Sequence, residues 1–209
     1  QFSKDSRYRT ELYKLRRKFM SHADGLIHAD LHTSNILASR DEMKVIDMEF
    51  AFMGPFGYDL GYLVGNIISQ YCAACFKRFP SEQNRKQFKA YLLATIKSLI
   101  ETYMKTFTLC WERSVKERYR GQQGLLQSIL QEVMVDMPGY ASMVNWFRSV
   151  SDIPYPDFDV IENKDAKRNA TVLSLMIDWG IMFGRYKYQS ADDLIETIIG
   201  IEEEFRKSL

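Results

Sequence analysis

Residues 26–61 read LIHADLHTSNILASRDEMKVIDMEFAFMGPFGYDLG. Short apolar runs broken by polar and turn-forming residues predict strands at 26–28, 35–38 and 44–46, with a turn at Ser39 to Glu42 joining the last two into a hairpin. Asp30 then falls in a polar loop directly after a strand, where a rigid element can aim a carboxylate into a cleft. Asp47 and Glu49 follow the return strand of the hairpin, which brings the chain back to the same end. In extended chain, residues two apart project to one face, so both carboxylates are expected to meet one hard cation and to converge with Asp30.

Upstream, Tyr8, Leu12, Leu15 and Phe19 recur at helical spacing, with Arg16, Arg17 and Lys18 largely on the other face. This predicts an amphipathic helix ending near Ser21. Downstream of Gly57 every apolar pattern is helical. One stripe runs through Phe88, Leu92, Ile96, Leu99 and Tyr103, and another through Leu126, Ile129, Leu130 and Val133. A connector from Ser151 to Asp159 carries Pro154 and Pro156, and two more helices are predicted to begin near Lys164 and Ser190. Ser190 with Asp193 can cap the last of these, whose buried stripe is Leu194, Ile198, Ile201 and Phe205. The expected fold class is mainly α with a small β-hairpin region.

Composition narrows the function classes. A net charge of +1 provides no field that would draw a nucleic acid or an anionic membrane. The most apolar stretch, Leu60 to Phe76, is interrupted by Asn66, Ser69 and Gln70 and predicts a core helix rather than a membrane span. No basic, apolar leader opens the chain, so the cytoplasm is the expected compartment. Cys72, Cys75 and Cys110 are odd in number, and the first two sit in a helical run, which predicts reduced cysteines packed in the core. The three histidines, His22, His28 and His32, lie within eleven residues of one another, giving zinc little support.

Carboxylates placed in this way suit metal-assisted phosphoryl transfer, which needs in-line placement of the attacking hydroxyl and neutralisation of charge on the phosphate oxygens. Asp30 would orient the hydroxyl and accept its proton. Asp47 would hold Mg²⁺ on the nucleotide phosphates, with Glu49 as a second metal or water contact and Asn35 reaching from the other side of the loop. His28 and His32 are expected to brace the loop.

The segment His28-Ala29-Asp30-Leu31-His32, with Asn35, resembles the H-G-D-L-H-x-x-N catalytic loop of the aminoglycoside and choline kinase-like superfamily. The run VIDMEFAFMGPFGYDLG, residues 45–61, resembles the V-I-D-P-E-F-A-F-x-G-P-x-G-F-D-x-G run of the 5-methylthioribose kinases, in which D-x-E replaces the D-F-G of protein kinases. QEVMVDMPGYASM, residues 131–143, is similar to that family's downstream region. The resemblance implies the C-terminal catalytic lobe of a protein kinase-like fold over residues 1–209. It also implies ATP and Mg²⁺ as cofactors, and transfer to 5-methylthioribose, or a similar small-molecule substrate, within methionine salvage. Asp59 is then expected to receive hydrogen bonds from the catalytic-loop backbone.

No glycine precedes Gly25 and no strand-borne lysine is evident before the loop, so the nucleotide-covering N-terminal lobe is expected elsewhere in a longer polypeptide. A homodimer is implied by the resemblance alone. Ala29, where the family has Gly, reads as a small change. Where the family has a paired arginine that grips the sugar, this chain has Asn145-Trp146-Phe147-Arg148, leaving Arg148 as the candidate substrate contact. Gly57, Gly61 and Gly65, four apart, predict close helix packing, and Trp146 and Trp179 are expected in the core. A choline- or aminoglycoside-type kinase and a non-catalytic binding protein remain as alternatives. Aromatic walls would favour a quaternary ammonium, and an acidic floor an aminoglycoside.

Overall fold

In the computed structural model, residues 5–153 and 155–209 are described; Pro154 of the expected connector lies outside them. Among the described residues seven α-helices and four short strands follow one another. They are α1 (Ser6–Ser21), β1 (Gly25–Ile27), β2 (Ile36–Ala38), β3 (Met43–Val45), β4 (Phe52–Gly54), α2 (Gly57–Ala74), α3 (Glu82–Ser114), α4 (Gln123–Val150), α5 (Pro156–Asp159), α6 (Lys164–Gly184) and α7 (Ala191–Lys207). The mainly helical fold expected from periodicity is present. No described helix is long and apolar enough to cross a membrane.

Local chemistry sets the helix starts. Asp5 accepts the N–H groups of Arg7 and Tyr8 at 2.8 and 3.3 Å, Ser81 that of Asn84 at 3.1 Å, and Asn163 that of Ala166 at 2.9 Å. Asp193 reaches back to the N–H groups of Gln189 and Ser190, each at 2.8 Å, opening α7 where the sequence placed it.

The core gathers where α2 is covered by α3, α4 and α6. Ile68, Tyr71, Ile96, Ile177 and Leu194 are fully buried there. Gly57, Gly61 and Gly65 explain how α4 comes so close. A Cβ added at Gly61 would lie 2.6 Å from the Met137 carbonyl oxygen, and one at Gly65 2.5 Å from that of Ala141. Cys72 and Cys75 are buried in this core as expected, but Cys110 is exposed, because it lies on the solvent side of α3. Trp146 and Trp179 are only half-buried; Trp179 stacks on Tyr8 with ring centroids 5.8 Å apart.

The β region is richer than the sequence pattern suggested. β2 and β3 form the expected hairpin, Ile36 facing Val45, with the turn closed by Ser39 N–H donating to the Glu42 carbonyl at 2.8 Å. The predicted strand at 35–38 loses its first residue, since residues Thr33–Asn35 form a 3₁₀ turn. β1 pairs antiparallel with β4, a strand absent from the sequence reading, in the register Gly25 to Gly54, Leu26 to Met53 and Ile27 to Phe52. These short pairings bring the Asp30 loop and the 46–51 segment to one end of the helical layer.

Candidate active site

The loop after β1 is held from behind by α2. Asp59 Oδ2 accepts the backbone N–H of His28 at 2.6 Å, and Oδ1 accepts that of Ala29 at 2.9 Å. These are the hydrogen bonds the resemblance implied for Asp59. Burial raises the Asp59 pKa, and the two N–H donors pull against that shift. Seven residues on, Asn66 Oδ1 accepts the Thr33 hydroxyl at 3.4 Å, so α2 contacts the loop along one face.

His28 is a brace, and its hydrogen bonds fix its tautomer. Its Nε2 donates to the Ile46 carbonyl at 2.8 Å, while its Nδ1 accepts the Asp30 N–H at 3.3 Å. A carbonyl can only accept and an amide N–H can only donate, so the proton sits on Nε2. The imidazole thereby ties the Asp30 loop to the residue just before Asp47. Asn35 is buried and donates from Nδ2 to the Asp30 carbonyl at 3.1 Å, which leaves its Oδ1 as the free acceptor. His32 Nε2 lies 3.4 Å from Asp30 Oδ2, and both side chains are about a quarter exposed.

Two expectations about backbone shape need correction. Asp47 has φ 65, and the Ala51 N–H closes a turn onto the Met48 carbonyl at 3.1 Å, so the D-x-E segment is not extended. Asp47 and Glu49 are both exposed, and their common face cannot be argued from strand alternation. Among the described residues no group of three or more His, Cys, Asp or Glu side chains is placed to hold a metal. Ala29 has φ 68, so replacing glycine there is not a small change: a Cβ in the left-handed region costs about 1–2 kcal/mol.

Beside the loop opens a cavity of about 490 Å³, walled by Phe19 of α1, Tyr58 and Tyr62 of α2, Tyr140, Met143 and Trp146 of α4, and Tyr155. Tyr62 lines the cavity from the helix that also carries Asp59. Burial, with the negative charge of Asp30, pushes its hydroxyl pKa up. The sequence reading missed Tyr62; its place three residues after Asp59, on the same helical face, was the available signal.

The run around Asp136 anchors the α1 wall of this cavity. Lys18 pairs with Asp136 and Glu132, and Arg185 pairs with Glu11 at 2.7 Å. The Tyr140 hydroxyl donates to the Leu15 carbonyl at 3.1 Å, and a Cβ at Gly139 would lie 2.7 Å from Leu15 Cδ1.

Arg148 lines the cavity, but its guanidinium is engaged. Nε and Nη2 both reach Asp157 Oδ2, at 2.6 and 2.5 Å, and the Tyr155 ring lies 4.4 Å from its central carbon. Asp157 is 3% exposed, so this is a largely buried ion pair whose breaking would strand a charge. Phe147 stands at the cavity rim, half-exposed, edge-on to Tyr155.

Residues 5–99 match the model of the phosphotransferase enzyme family. Over 198 residues the chain is 32% identical to a methylthioribose kinase of Geobacillus thermodenitrificans, covering 95% of this chain and 48% of that protein. It is 33% identical over 190 residues to the methylthioribose kinase of Geobacillus kaustophilus, covering 91% and 46%. Over 137 residues it is 34% identical to that of Exiguobacterium sibiricum, covering 66% and 33%. The chain spans about half the length of the first two of these curated relatives. By sequence it is similar to the methylthioribose kinases and matches the phosphotransferase enzyme family in the segment that carries the Asp30 loop.

Proposed function

We propose that this chain is the catalytic lobe of an ATP-dependent small-molecule kinase that phosphorylates a sugar hydroxyl, with 5-methylthioribose, converted to its 1-phosphate in methionine salvage, as the substrate. The observation that carries the proposal is the placement of Asp30: its loop is held from α2 by Asp59, and the His28 ring ties it to the residue just before Asp47. Asp30 orients the acceptor hydroxyl and takes its proton, a role worth about 10²- to 10⁴-fold in rate. The rings and the Met143 thioether of the cavity suit a substrate with an uncharged sulfur substituent.

Asp47, Glu49 and the Asn35 Oδ1 are hard oxygen donors. Mg²⁺ takes one or two protein carboxylates plus substrate phosphates rather than a full protein cage, so this donor set fits it. When bound, the ion neutralises charge on the nucleotide phosphates. Leu26, Leu37, Met43, Met48 and Phe50 are exposed apolar side chains of the β segments and of the turn after β3. In this reading the nucleotide-covering lobe, in a polypeptide of the relatives' length, packs over these segments. The cytoplasm, where ATP is abundant, is the compartment the reading entails.

The aromatic walls also favour a second reading, a choline-type kinase binding a quaternary ammonium. Arg16 on the same wall opposes a cationic ligand. Among the described lining residues there is no acidic side chain to form an aminoglycoside floor. A panel of methylthioribose, choline and an aminoglycoside, offered with MgATP to the full polypeptide, tests these readings. ADP release with methylthioribose alone is expected. Release with choline alone supports the second reading, and neither turnover nor nucleotide binding leaves a non-catalytic binding protein.

A further inference from the structure

The connector that enters α5 lays one ring on the cavity and buries the residues that follow it. Tyr155 lines the cavity and is half-buried, while Asp157 and Phe158 are each 3% exposed. Pro156, directly after Tyr155, disfavours helical backbone there, and Tyr155 is extended at φ -105 and ψ 130. Asp157 then fixes this turn from two sides. Its Oδ2 accepts Nε and Nη2 of Arg148 on α4, at 2.6 and 2.5 Å, and its Oδ1 accepts the Gln70 amide on α2. The central carbon of the Arg148 guanidinium stands 4.4 Å from the Tyr155 ring centroid, and Phe147 meets that ring edge-on at 6.0 Å. Two consecutive residues of α4 therefore touch the ring, and a buried carboxylate holds the backbone that carries it.

We propose that Tyr155 is a specificity-determining residue of the acceptor site, the wall that meets an apolar substituent of the sugar, and that Asp157 is the positioning residue that holds it there. The inference deepens the phosphotransfer reading above and rests on it. Tyr155 is the described lining residue that comes from a connector, whereas the others stand on α1, α2 and α4, where helix packing also constrains them. Loops carried on a rigid scaffold are where recognition is adjusted. Arg148 acts through the ring: its guanidinium is committed to Asp157 and packs on Tyr155, where the cation reinforces the ring's position. The wall so made has Met143 and Trp146 beside it. A thioether gains contact with aromatic edges, while a hydroxyl in the same place gives up water without a matching partner. The ring therefore selects a sugar whose substituent is apolar over one with a hydroxyl at that carbon.

Methylthioribose and ribose, which differ by a methylthio group against a hydroxyl, test this when each is offered with MgATP to the full polypeptide. Wild type should favour methylthioribose in kcat/KM by on the order of ten- to two-hundredfold, the range a small apolar group supplies in a pocket. Tyr155→Phe keeps the ring and should keep that ratio. Tyr155→Ala should cut it about tenfold, through a higher methylthioribose KM rather than a lower kcat. Asp157→Asn loosens the hold on Arg148 and should lower the same ratio, and the double variant should do no worse than Tyr155→Ala alone. An unchanged ratio in Tyr155→Ala would overturn the role of the ring. Asp157→Asn with a lower thermal midpoint and the wild-type ratio would reduce Asp157 to a structural residue and overturn its positioning role. Equal turnover of both sugars by wild type overturns the inference and leaves the kinase reading standing, whereas turnover of neither overturns that reading and the inference with it.

Discussion

The Asp59 carboxylate accepts the backbone N–H of Ala29 at 2.9 Å, and Ala29 at that point has φ 68. A residue on α2 thus holds an alanine in a backbone shape that alanine avoids, one position before Asp30. Asp59→Ala leaves two loop N–H groups without an acceptor and releases the strained turn. A loss of about 2–4 kcal/mol is expected, read as a lower urea midpoint at unchanged slope.

At Ala29 itself the strain can be removed. Gly adopts positive φ without penalty, and its extra unfolded-state entropy offsets part of the gain, so Ala29→Gly should stabilise the chain by about 0.5–1 kcal/mol. Ala29→Val should destabilise it, since a β-branched side chain tolerates that region least. Thermal midpoints of the three proteins would rank Gly above Ala above Val; any other order would contradict the strain.

For the chemistry, Asp30→Asn in the full polypeptide should lower turnover by at least about two orders of magnitude with little change in nucleotide affinity. Activity kept within about tenfold would take Asp30 out of the role assigned to it.

Asp47→Ala should abolish Mg²⁺-dependent nucleotide binding while leaving the fold intact, because Asp47 is exposed and supports no core contact. Calorimetric titration with MgATP checks this, and an isotherm equal to wild type would refute it.

Away from the site, Glu202 links α7 to α2 and α3. It accepts from Tyr71 and Lys89, and from Arg206 Nε at 2.6 Å. Burial pushes its pKa up, and these donors outweigh that, bringing it down to about 2. A depressed folded-state pKa contributes stability that is present above the unfolded carboxyl value and is lost as pH falls through the folded one. Glu202→Gln should therefore cost about 3 kcal/mol at neutral pH, with the gap to wild type closing between about pH 4.5 and 2. Denaturation at pH 7, 4 and 2.5 measures it, and a pH-independent gap would assign the loss to packing.

Much of this architecture was legible in the residues. The stripes in α1, α3, α4 and α7, the Ser190 start and the glycine spacing of α2 are local periodicities, and helices follow them because neighbours three and four apart share a face. The cysteine reading failed only at Cys110, where α3 runs past the edge of the core. β4 was missed because Phe52-Met53-Gly54, ending in glycine with proline directly after, carries a turn signal rather than a strand signal; its pairing with β1 supplies what its own sequence lacks.

At the site the division is physical. The sequence by itself determined that Asp30 stands in a loop after a strand, that a hairpin returns the chain to Asp47 and Glu49, and that Asp59 follows on a helix, since each depends on residue types over a few positions. Tertiary structure decided the rest. The left-handed backbone at Asp47 cancels the strand geometry its spacing implied, and the Asp157 carboxylate takes up the Arg148 guanidinium. Tyr62 comes to line the cavity from the helix whose Asp59 holds the Asp30 loop. The cavity itself is assembled from α1, α2, α4 and Tyr155, segments separated by as much as the distance from Tyr8 to Tyr155 along the chain. Contacts of that range are fixed by how buried faces pack, and no short window of sequence contains them.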